Sequence, residues 1–162
     1  MSKPFLAAFS LALLAVAGVV YWVFASTRGN HLEPSGKILN VRTAALDESH
    51  SAVLLDFTVV NPSDVEMIVR SIDISLEQAN GSKPQSFAIA VTDMPQLLRY
   101  HKELGSLDNE AMRERDRIEP HQTVTRSTAA RFDIPEGDLK ARRNVQLTIE
   151  DVTGPKLLLI AK

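Results

Sequence analysis

The chain contains no cysteine. That excludes disulfides, thiol nucleophiles, iron–sulfur ligation, thiolate zinc sites and the acylated cysteine of lipoproteins. Glycine is scarce, at seven in 162 residues, and neither a glycine-rich phosphate loop nor a Gly-x-Ser-x-Gly elbow occurs. Tyr100 is the only Tyr or Trp beyond the N-terminal stretch, so no series of rings offers a stacking platform for nucleic-acid bases. A formal charge of −2 provides no global field toward nucleic acid or an acidic membrane. What is present, 44% hydrophobic and 23% charged residues, is the composition of one folded domain with an appendage.

The appendage is FLAAFSLALLAVAGVVYWVFA, Phe5 to Ala25, with no charge between Lys3 and Arg28. At ~1.5 Å per residue a helix of this length crosses the ~30 Å hydrocarbon core of a bilayer once. Tyr21 and Trp22 fall near its end, where amphipathic rings favour the headgroup level. A signal peptide cut after Ala25 is the competing reading, since Val23 and Ala25 are small enough for a cleavage site. The apolar run exceeds the ~7–15 residues of a signal core and bulky rings crowd the site, which favours an uncleaved transmembrane anchor. Lys3 and the terminal amine, against the mixed flank of Arg28, Glu33 and Lys37, place the N-terminus in the cytoplasm and the domain outside it, in the periplasm if the cell is bacterial. The expected organisation is an anchor over 1–25, a polar linker over 26–36 (STRGNHLEPSG) and a β domain over 37–162.

Past the linker the pattern has period two. A first strand is expected at Lys37 to Ala45; Val53, Leu55, Phe57 and Val59 then share one face of Ser51 to Asn61. Ile68, Ile72, Ile74 and Leu76 alternate with Val69, Ser71, Asp73 and Ser75. Both runs read as half-buried antiparallel strands. Asn80-Gly81 suggests a tight hairpin with two positive φ angles, Phe87, Ile89 and Val91 the returning strand, and Thr123 to Ile134, Val145 to Val152 and Lys156 to Ala161 three more. About seven strands imply an immunoglobulin-like antiparallel β-sandwich.

Pro62 interrupts this pattern because it has no N–H for a ladder, while Asn61, Ser63 and Asp64 can satisfy backbone groups of a turn. Asn61-Pro62 therefore marks a structural corner between strands. The stretch LDFTVVNPSDVEMIVRSIDISL, a strand ending in Asn-Pro followed by a turn and a long alternating strand, resembles the membrane-anchored water-stress and hypersensitive-response domains, the β-sandwich group of the late-embryogenesis-abundant proteins. The resemblance runs mainly over residues 39–76, with weaker agreement over 123–149. Ser63 stands where the family often has a second Asn, and the soluble part lacks Trp. It implies a sandwich fold and a stress-protective or membrane-associated role.

Thr92 to Gly105 departs from the meander. Asp93 as N-cap, Pro95 in the first turn, apolar Met94, Leu97, Leu98 and Leu104, and a terminal glycine predict one short inserted helix, followed by a charged connection, at one end of the sandwich. Tyr100, His101, Arg113 and Arg115 are the binding candidates there. His101, Glu103 and His121, with Asp108, would be the residues of a small hydrolase or metal-dependent enzyme assembled from loops, although no HExxH or paired-His spacing supports a metal. Asp133, Glu136 and Asp138 lack the alternating ligand spacing of a calcium loop. Lys140, Arg142 and Arg143 are a possible phosphate contact. Arg113, Arg115 and Arg117 interleave with Glu110, Glu114, Asp116 and Glu119, which reads as a mutually neutralising surface. Ser49 and His50 are adjacent without a nucleophile elbow. The expectation is a non-enzymatic, membrane-tethered interaction module without cofactor or metal, engaging an envelope protein, lipid or glycan rather than nucleic acid.

Overall fold

The computed structural model describes residues 12–23 and 32–162. Packing divides the chain into two units, Met1–His31 and Leu32–Lys162. In the first, residues 12–23 form a helix (α1), and every one of them is exposed. Among the described residues no helix is long and apolar enough to cross a membrane. The expected anchor over Phe5 to Ala25 and the linker both lie partly outside the described residues.

The second unit is mainly β. Its strands are β1 (Ser35–Ala45), β2 (Ser51–Val60), β3 (Met67–Glu77), β4 (Gln85–Phe87), β5 (Arg117–Ile118), β6 (Thr123–Phe132), β7 (Asn144–Asp151) and β8 (Lys156–Ala161). The short helices are α2 (Met94–Tyr100), a 3₁₀ turn (Lys102–Leu104) and α3 (Glu136–Lys140). One sheet has the order β1-β2-β6 and the other β4-β3-β7-β8, with β5 added to β3; every pairing within them is antiparallel. Eight strands stand where about seven were expected. The extra one, β5, is only two residues long and too short to carry a period.

Between the sheets lies one apolar core, with Val53, Leu55, Phe57 and Val59 of β2 against Ile72, Ile74 and Leu76 of β3 and Val145, Leu147 and Ile149 of β7. Along β3 the simple alternation fails. A register shift between Val69 and Ser71 inserts Arg70 as an extra residue, so Met67 and Val69 point inward before it and Ile72, Ile74 and Leu76 after it, while Ile68 is left half-buried. A bulge changes the phase of a strand by one residue, which a fixed period of two cannot register.

Strand β2 is buried on both faces rather than half-buried. Ala52 and Leu54 on its outer side meet Ala44, Ala129, Met94 and Leu104 in a second apolar cluster. The insertion supplies that cover. It folds over the outer face of the β1-β2-β6 sheet instead of extending one end of the sandwich. Helix α2 ends at Tyr100, and His101, at φ −118° and ψ 78°, separates it from the 3₁₀ turn, so the continuous helix expected to Gly105 is broken. Asp93 is the N-cap by position, its carbonyl accepting from the N–H groups of Gln96 and Leu97, but its carboxylate does not cap the helix.

The hairpin after β3 also differs from expectation. Gly81 has φ 85° and Asn80 is not among the residues of positive φ. Gly81 N–H donates to the Gln78 carbonyl and Gln78 N–H to that of Ser82, both at 3.0 Å. This is a longer loop with a single left-handed glycine, not a two-residue turn. The returning strand stops at Phe87: Ala88 N–H still donates to Ile72 of β3, but Ile89 N–H donates to Ala129 of β6. Here the chain passes from one sheet to the other.

Candidate functional site

The sheet-crossing segment borders a cavity between the two apolar regions. A cleft of about 560 Å³ is lined by Ile72, residues 87–92 and residues 112–114. Ile72 and Met112 belong to the inter-sheet core, and Ile89 and Val91 pack on the cluster beneath the insertion, so the cleft sits where the two apolar regions meet. Phe87 on its border is 75% exposed. Arg113 and Glu114 bring charge to an otherwise apolar lining. The segment carrying them is held by Met112 N–H to the Ser127 carbonyl at 2.9 Å and by Arg115 N–H to that of Val69 at 2.7 Å. Between these anchors the chain turns tightly. Arg113 N–H donates to the Asp116 carboxylate at 2.9 Å, and Arg115 adopts φ 67°.

That turn separates charges which the sequence interleaves. Arg117 faces Glu66 at 3.4 Å and Glu110 faces Arg126 at 3.5 Å, whereas Arg113, Glu114 and Arg115 make no ion pair among the described residues. The interleaving produces no ion pair at these three residues among the described residues, and the Asp116 carboxylate accepts from the Arg113 backbone N–H instead. Of the four binding candidates, Arg113 lines the cleft; Tyr100, His101 and Arg115 do not. Tyr100 is exposed at the end of α2 and His101 is half-buried at the break that follows.

Two residues of the enzymatic alternative, His121 and Asp108, have separate partners. His121 Nε2 lies 2.9 Å from Asp64, and Asp108 lies 3.5 Å from Arg42. Among the described residues no three His, Asp or Glu side chains converge to hold a metal. Asp133 is shared between Arg131 at 3.7 Å and His50 at 3.5 Å, while Glu136 faces Lys140 at 2.8 Å. The Lys140, Arg142 and Arg143 group is dispersed in the same way. The Arg142 guanidinium donates to the Leu139 carbonyl at 2.9 Å, and burial lowers its pKa.

Ser49, His50 and Asp47 form a compact cluster, with His50 half-buried and the other two exposed. Both Ser49 Oγ, at 3.1 Å, and Asp47 Oδ1, at 2.7 Å, approach the same ring atom, His50 Nδ1. A nucleophile relay needs serine and carboxylate on opposite ring nitrogens, and the second nitrogen faces Asp133 instead. The cluster does define one perturbed acid. Asp47 is held at about 2, below its ordinary 3.8, first by the Ser49 backbone N–H and then by His50.

Two polar constellations sit inside the fold. At the corner, Asn61 is fully buried; its amide nitrogen donates to the carbonyls of Val65 (2.8 Å), Ile118 (3.1 Å) and Glu119 (3.2 Å), and its oxygen accepts from Ser63 N–H and Oγ. Pro62 beside it is exposed. The second was not singled out from the sequence. Asp56, in the middle of the apolar run of β2, faces the insertion side, where Arg42 of β1 reaches it at 2.8 Å and Ser127 Oγ donates to it at 2.5 Å. Arg42 also donates to the carbonyls of Leu104 and Ser106, both at 2.7 Å. An acid inside an otherwise apolar strand was the available signal; its partner, fourteen residues away, was not legible.

No family model and no curated protein matches the chain. Among solved structures it is similar to an uncharacterized β-sandwich protein from Clostridium difficile 630, at 14% identity over 82% of each chain with a TM-score of 0.32. It is also similar to the Northeast Structural Genomics Consortium target SoR45, at 11% identity over 82% of this chain and 81% of that one, TM-score 0.36. A third similarity is to the Iho670 flagellar-like filament, at 12% identity over 99% and 98% of the two chains, TM-score 0.38. At these identities and scores the likeness carries no functional argument.

Proposed function

We propose that this protein is a non-enzymatic interaction module of the cell envelope: an immunoglobulin-like β-sandwich tethered to a membrane by its N-terminal segment, with the N-terminus cytoplasmic and the sandwich on the extracytoplasmic side. The observation that carries the reading is the state of residues 12–23. They are helical, uncharged and apolar, and every one is exposed, with Leu14 at 70% and Trp22 at 69%. A helix that is apolar all round and exposed along its described length is suited to lipid. The described part is too short to span a bilayer; the span rests on its continuation in sequence over Phe5 to Ala25. On the sandwich, binding is assigned to the insertion side, which bears the cleft and the unpaired Arg113. The stress-protective role implied by the resemblance at Asn61-Pro62 belongs to this same reading, as a property of a tethered, stable sandwich.

Alkaline carbonate treatment of membranes, with N-terminal sequencing, tests the tether. The chain should stay in the membrane fraction and begin at Met1 or Ser2. Release into the supernatant, or a mature terminus at Ser26, rejects the anchor. Protection of the sandwich from protease added on the cytoplasmic side tests the orientation.

A further inference from the structure

We propose that the cleft beside Phe87 binds a single acyl chain carrying one carboxylate; this deepens the interaction-module reading by giving it a ligand class. Size and lining come first. At about 560 Å³ the cleft falls within the ~300–1,000 Å³ range of small-ligand sites. Its apolar walls come from the core (Ile72, Met112) and from the packed base of the insertion (Ile89, Val91), so they are already ordered and little freedom is lost on binding. Phe87 leaves a large ring in water on the border, and a hydrocarbon chain laid in the cleft would cover it.

Charge selects the head group. Arg113 stands in the lining without an ion pair among the described residues, while Arg42, Arg117 and Arg126 each face a carboxylate. A planar guanidinium recognises a carboxylate through two parallel hydrogen bonds. Glu114, equally unpaired and adjacent in the lining, opposes any further negative charge on the ligand. A cation and an anion side by side therefore favour a head with one negative charge over a doubly charged phosphate monoester.

The test uses the full-length chain in phosphatidylcholine nanodiscs with a diazirine-bearing palmitate, mapping crosslinked peptides by mass spectrometry. Label should fall on residues 87–92 and 112–114 and be displaced by unlabelled palmitate. Arg113→Gln should weaken the apparent affinity about tenfold, the scale of one charge-assisted hydrogen bond. Glu114→Gln should strengthen it about two- to fivefold, and raise labelling by a diazirine-bearing alkyl phosphate more than that by the acid. Because the two substitutions move affinity in opposite directions, loss of folding does not mimic the result. Label confined to residues 12–23, label insensitive to both substitutions, or cleft labelling by an apolar photoreactive peptide but not by the acid overturns the proposal. Carbonate extraction reports on the tether independently: retention without cleft labelling rejects the ligand alone, and release with cleft labelling rejects the tether alone.

Discussion

Asn61 shows how much one side chain can organise. Five hydrogen bonds from one buried amide join the β2–β3 corner to the turn between β5 and β6. Replacing it by alanine strands buried carbonyls without removing apolar surface, so Asn61→Ala should cost about 1–3 kcal/mol in chemical denaturation. Pro62→Ala at the exposed neighbour should cost only about 0.4–1 kcal/mol, through the unfolded chain. That the corner would be polar and locally satisfied was legible from Asn-Pro-Ser-Asp; that its partners include Ile118 and Glu119, more than fifty residues away, was not. Asp47 carries a prediction of another kind. A carboxyl held at about 2 in the folded state and titrating near 3.8 when unfolded stabilises the fold above about pH 4. The contribution is lost as pH falls from 3.8 through about 2. An NMR titration of the Ser49 amide should show a midpoint near the lower value, and Asp47→Asn should abolish that transition.

At the level of elements, the insertion is held by a polar latch as well as by its apolar face. Arg42 reaches from β1 to two carbonyls at the end of the 3₁₀ turn and to Asp56 on β2. Gly105 closes that turn at φ 75°, and a Cβ there would lie 2.9 Å from the Arg42 guanidinium. Gly105→Ala therefore meets both an unfavourable backbone and a pinned cation. It should destabilise by about 1–2 kcal/mol, and faster amide exchange should be confined to the insertion. Asp56→Ala should cost about 1.5–3 kcal/mol, because it removes the buried carboxylate to which Ser127 donates and leaves Arg42 only the more exposed Asp108 at 3.5 Å. The helix itself was legible from Asp93, Pro95 and the spacing of its leucines. Its break at His101 and its docking on β2 were not, since both depend on what the outer face of that strand offers.

For the whole molecule, the described apolar core lies in residues 32–162. Phe57 is fully buried between the sheets, and Phe57→Ala should cost about 3–5 kcal/mol by opening a cavity, a large share of the ~5–15 kcal/mol of an ordinary domain. A chain starting at Leu32 should unfold in a single cooperative transition, measured by circular dichroism, because the described apolar residues of the sandwich core lie within it. A broad, non-cooperative melt would show that the N-terminal segment contributes to the fold.

Local chemistry on its own determined the β class, the inward faces of β2 and β7, the stop at Pro62 and the apolar N-terminal stretch, since each depends on residues within a few positions of one another. Tertiary structure decided the rest. The bulge at Arg70 reversed the phase of β3, the partner sheet drew the chain away after Phe87, and the insertion covered the second face of β2. The cleft follows from these three events together. Its lining comes from Ile72, residues 87–92 and residues 112–114, segments brought side by side only when the edges of both sheets are in place; no periodicity within any one of them encodes that meeting.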